Sequence, residues 1–140
     1  MKFRDYFSLK HILFAVVLMA LMVLLAINQS VNTVKVYFES TEIQVISAKY
    51  SLAIPYDIIE SAQLVDLPFE GERVTNAYDD ETLRAGVWNN AVWGEYHIVA
   101  DLDAKNCIEV KLNDGRIFVF SHKDNATTQA DYQTLTEYLK

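Results

Sequence analysis

The hydrophobic pattern of this chain changes period twice. From Ile12 to Ile27, sixteen consecutive residues carry no charge, no polar side chain, no Gly and no Pro. Lys2, Arg4, Lys10 and His11 stand before this run, and Asn28, Gln29 and Ser30 follow it. At ~1.5 Å per residue the run spans about 24 Å, and Leu9 and Val31 lengthen it toward the roughly 30 Å of a bilayer's hydrocarbon layer. It has no polar stripe to turn toward water, unlike an amphipathic core helix. The pattern predicts a basic leader over residues 1–11, a single transmembrane helix over 12–31 and a separate domain over 32–140.

After Ser30 the period drops to two. Val34, Val36 and Phe38 share one face, with Lys35, Tyr37 and Glu39 opposite, which predicts a strand. Ser40 and Thr41 turn the chain into a second strand carrying Ile43 and Val45. Tyr50, Leu52 and Ile54 form a third, closed by Pro55, which has no N–H for a ladder. Ala62 and Leu64 mark a fourth. Alternation resumes at Ala85 to Trp88, at Tyr96 to Leu102 and at Ile108 to Leu112. Asn113, Asp114 and Gly115 then tolerate the positive φ of a tight hairpin, with Ile117 to Phe120 as its returning strand.

Between these runs, Leu67 to Arg84 breaks the rhythm. Pro68, Gly71, Asn76 and the acidic Asp79, Asp80 and Glu81 predict a long exposed loop, a length commonly tied to function. At the other end of the domain the period becomes helical: Tyr132, Leu135, Tyr138 and Leu139 make one apolar stripe. N-cap residues lie between Asp124 and Thr128, and Thr128 with Asp131 fits a capping box. The expected fold is mainly β: seven or eight antiparallel strands capped by a C-terminal helix.

Charge adds an orientation. Lys2, Arg4 and Lys10 precede the apolar run, whereas Lys35 alone follows it closely. Basic residues stay cytoplasmic, so the N-terminus is expected in the cytoplasm and the domain outside it. A cleaved secretory signal, giving a secreted protein, is the competing reading, but Leu24 before Ala26 makes a poor small-x-small exit. The formal charge is −7, and three cations against Asp5 up to Lys10 leave −9 for the remainder. Such a domain repels nucleic acid and anionic headgroups. Cys107 is the sole cysteine, so no internal disulfide forms.

Candidate chemistry is sparse. His97 falls on the polar face of its strand and His122 beside Ser121 at a strand end, both expected at the surface and without metalloprotease spacing. Ser121 and His122 lie adjacent on a strand and so face opposite ways, and no G-x-S-x-G is present. Asp101, Asp103 and Asn106 fail the EF-hand pattern, which requires Gly where Asn106 stands and Glu where Leu112 stands. Cys107 is out of phase with Ile108, Val110 and Leu112 and reads as a spectator. No catalytic, metal or cofactor-binding residue is assigned. Trp88 suits the interior, whereas Trp93, near a turn, suits a contact surface.

Several short elements resemble one family. Ile54-Pro55-Tyr56-Asp57-Ile58-Ile59 resembles the I-P-Y-x-x-I element of bacterial pleckstrin-homology-like (PH-like) domains. Gly86-Val87-Trp88 and Gly94-Glu95-Tyr96 are similar to its G-x-aromatic and G-x-Y elements, and Asp114-Gly115-Arg116 with Phe120-Ser121 to its closing hairpin. Where relatives are glycine-rich after Arg73, this chain reads Val74-Thr75-Asn76-Ala77. The resemblance, over Val34 to Lys140, implies a bent antiparallel sheet forming a partial barrel plugged by the C-terminal helix, with no established catalytic residue or ligand.

The functional expectation is a membrane-anchored, non-enzymatic module that binds another protein or self-associates. Its expected contact residues are Trp93, Arg73, Asp79, Asp80 and Glu81. No cofactor, nucleic acid or anionic lipid headgroup is expected to bind. The alternative is an extracytoplasmic sensor of a small apolar molecule or calcium.

Overall fold

The computed structural model describes residues 9–31, 33–67 and 70–140. The basic residues Lys2 and Arg4, and Pro68 of the expected loop, lie outside the described residues. Two compact units divide between Val31 and Asn32. The first holds helix α1, Leu9–Val31. Its stretch Leu9–Ile27 has a mean hydropathy of 2.5 and none of it is buried. Its 19 residues make roughly 28 Å of helix, long and apolar enough to cross a membrane. The apolar stretch of a signal sequence meets the same test.

The second unit is mainly β, with nine strands in two sheets and a C-terminal helix among the described residues. Strands β1 (Lys35–Phe38), β2 (Glu42–Ile46) and β3 (Ser51–Pro55) form an antiparallel sheet in that order. A single 3₁₀ turn, Tyr56–Ile58, leads from Pro55 into β4 (Ile59–Asp66). The larger sheet adds β5 (Glu72–Asp79), β6 (Leu83–Asn90), β7 (Gly94–Asp101), β8 (Asn106–Leu112) and β9 (Ile117–Ser121), and its spatial order is β4-β8-β9-β7-β6-β5. The β8–β9 hairpin inserts β9 between β7 and β8, so β9 lies antiparallel to β8 and parallel to β7. The expected all-antiparallel sheet therefore has one parallel pair.

The expected loop over Leu67 to Arg84 is corrected by the structure. Most of it is β5, which pairs antiparallel with β6. It carries no alternation because it is a sheet edge whose first five residues are all exposed. The ladder slips between Arg73 and Thr75 and again between Thr75 and Tyr78. At the second slip Asn76 has φ 47°. Opposite it, Gly86 has φ 100°, and a Cβ there would stand 2.0 Å from the Asn76 carbonyl oxygen. Only glycine admits that approach.

The larger sheet is buried on both faces. On one, Val99, Ile108, Val110, Phe118 and Phe120 pack with Ile43, Val45, Leu52 and Ile54 of the small sheet and with Leu135. On the other, Trp88, Tyr96, Ile98, Ala100, Cys107 and Val119 form a second core, joined by Val65 of β4 and Ala77 of β5. All six strands contribute to it, so the sheet wraps its own second core. The two histidines expected at the surface are also corrected, His97 within the doubly covered sheet and His122 against α2. His97 is half-buried, its ring stacked 4.7 Å from Phe118. His122 is 16% exposed and its Nε2 lies 2.5 Å from Asp131 Oδ2. Cys107 is out of phase with its neighbours because it belongs to the second core, and burial pushes its thiol up to about 12.

Helix α2 (Asn125–Tyr138) buries Leu135 among the strands. Its N-cap is Asp124, whose carboxylate accepts from Ala126 N–H and the Thr127 hydroxyl. The expected Thr128–Asp131 box does not form. Asp131 turns to His122, and Thr128 Oγ1 accepts from the His122 N–H at 3.0 Å.

Candidate functional site

The five expected contact residues do not share one surface. Asp80 and Glu81 stand in the β5–β6 turn and Trp93 in the β6–β7 turn, at opposite ends of β6. Eight extended residues separate those ends by roughly 27 Å. Glu81 is exposed. Asp80 is absorbed by its own turn: Oδ1 accepts from the N–H groups of Thr82 and Leu83, both at 2.7 Å, and Oδ2 from the Tyr78 hydroxyl at 2.7 Å. Burial pushes its carboxyl up, but these donors outweigh that and hold it at about 2.

Asp79 is paired with Arg84 at 3.3 Å. Arg84 is 9% exposed and lies 4.3 Å over the Trp88 ring, with Arg73 at 5.7 Å from the same ring. Trp88 itself donates to the Ala85 carbonyl. Arg73 thus stands exposed beside Trp88, and Asp79 reaches that ring only through Arg84. Trp93 is half-buried against Tyr96, and its indole N–H donates to Glu109 Oε2 at 2.7 Å. Its neighbour Val92 is the exposed tip, at 77%.

His97 and His122 each bond to a group other than a nucleophilic serine or cysteine. His97 Nδ1 meets the Tyr50 hydroxyl at 2.9 Å. The Ser121 hydroxyl points to the Asp101 carbonyl at 3.5 Å. Among the described residues, no three His, Cys, Asp or Glu side chains converge to hold a metal ion.

A feature that periodicity does not reveal is an open groove of about 730 Å³. Its walls are the β1–β2 turn (Ser40, Thr41, Glu42), the 3₁₀ turn (Tyr56, Asp57), the start of β4 (Ile59, Glu60) and the end of α2 (Tyr138, Leu139, Lys140). Pro55 sets the turn at φ −62°, and the Tyr56 N–H donates to the Thr41 carbonyl at 3.0 Å. The Tyr56 hydroxyl reaches the Glu39 carbonyl at 3.0 Å. Tyr138 stacks between Tyr56 at 4.8 Å and Phe38 at 5.7 Å. Burial, then Tyr138, Glu39 and Glu42, push the Tyr56 phenol above its ordinary value.

In sequence, Tyr56 stands out only within the I-P-Y element, and Glu39 only on the polar face of the first strand. Comparison with protein-family models, characterised proteins and solved structures found no match.

Proposed function

We propose that this protein is a membrane-anchored, non-enzymatic interaction module: one apolar helix holds a PH-like β domain at the cell envelope, where the domain meets a protein partner or a second copy. The observation that carries this reading is α1, whose apolar stretch Leu9–Ile27 is wholly exposed. Such a surface is stable in lipid and costly in water. Tethering concentrates a domain near membrane-bound partners without any new contact. The helix-capped β domain suits the PH-like resemblance, while the parallel β7/β9 pair departs from a wholly antiparallel barrel.

The basic leader favours a cytoplasmic N-terminus and an extracytoplasmic domain. Protease treatment of intact cells carrying the full chain, tagged at both ends, tests this. Digestion of the C-terminal tag with survival of the N-terminal tag is expected, and the reverse overturns the orientation. Photocrosslinking in cells from Trp93 and from the groove tests the module itself. Absence of any adduct from either overturns it.

A further inference from the structure

We draw no further inference here: the strongest candidate, the pocket between the start of β5 and the end of β6 lined by Glu70, Gly71, Glu72, Asn89, Asn90 and Ala91, holds nothing that points to a ligand, because its charged walls are two exposed carboxylates and the buried Tyr96 hydroxyl, unpartnered among the described residues, lies beneath Gly71 and outside those walls.

Discussion

The Tyr50 hydroxyl stands 2.9 Å from His97 Nδ1 and joins the turn before β3 to the centre of β7. The two rings lie nearly parallel, and His97 stacks in turn on Phe118, with Arg116 over the far ring. A titratable group therefore sits in the seam between the two sheets.

Burial, then the Arg116 guanidinium, lower the His97 pKa below its ordinary 6.5, with Glu95 opposing. The unfolded chain then binds more protons than the folded one as pH falls. The His97 contribution is complete above pH 6.5 and is lost as pH drops from there toward the depressed folded value. Thermal melts of the full chain in detergent should show a lower Tm at pH 5.5 than at pH 7.5, and His97→Phe should flatten that slope. An unchanged slope in the variant assigns the pH effect elsewhere.

Asp80 holds the β5–β6 turn through four hydrogen bonds, two from backbone N–H groups. Asp80→Ala should cost about 1–2 kcal/mol in denaturant titration, the loss of charge-assisted bonds at a partly exposed site. Its folded pKa of about 2 lies below the ordinary 3.8, so its stabilisation is complete above pH 3.8 and lost as pH falls toward 2. Asp80→Asn should keep part of the stability and lose that acid dependence.

Two glycines with positive φ should answer differently to alanine. At Gly86 a Cβ meets the Asn76 carbonyl oxygen at 2.0 Å, whereas at Gly94 nothing lies within 4 Å. Gly94→Ala should cost about 1 kcal/mol from backbone conformation alone. Gly86→Ala should cost about 3 kcal/mol or more, or prevent folding, because β5 must move away. Comparable midpoints for the two variants would remove the close approach of β5 to β6.

Leu135 is wholly buried where α2 meets the sheets. Leu135→Ala should destabilise the domain by about 2–5 kcal/mol. An exposed change on the same helix, Gln133→Ala, should stay within about 0.5 kcal/mol. Denaturant midpoints compare them directly.

Leu18 lies midway along the apolar stretch of α1. Leu18→Arg adds about 3 kcal/mol to insertion at the bilayer centre. Carbonate extraction should move a large share of this variant from the membrane pellet to the supernatant, whereas Leu18→Ile should stay in the pellet.

Features that depend on neighbours along the chain are legible in the amino-acid order. α1 follows from sixteen uninterrupted apolar residues, the β8–β9 turn from Asn113-Asp114-Gly115, and α2 from the spacing of Tyr132, Leu135 and Tyr138. Each rests on a local period or on a residue's own backbone preference. β5 is not legible, because an exposed edge strand with two slips has no alternation to read. The burial of His97 and Cys107 is hidden for a different reason: in a sheet covered on both faces, period two no longer separates core from water.

Position in space belongs to the tertiary fold. Inserting β9 between β7 and β8 pairs residues that no turn connects, and the choice is made by which apolar faces can be buried together. The groove likewise joins Glu42, Asp57 and Tyr138, which are far apart in the chain and carry no shared period. Amino-acid order is enough to set most of the strands and both helices, the long apolar one included, because those follow from short-range sterics and patterning. Which side chains meet is left to the fold, because burial and pairing are settled by contacts across the whole domain.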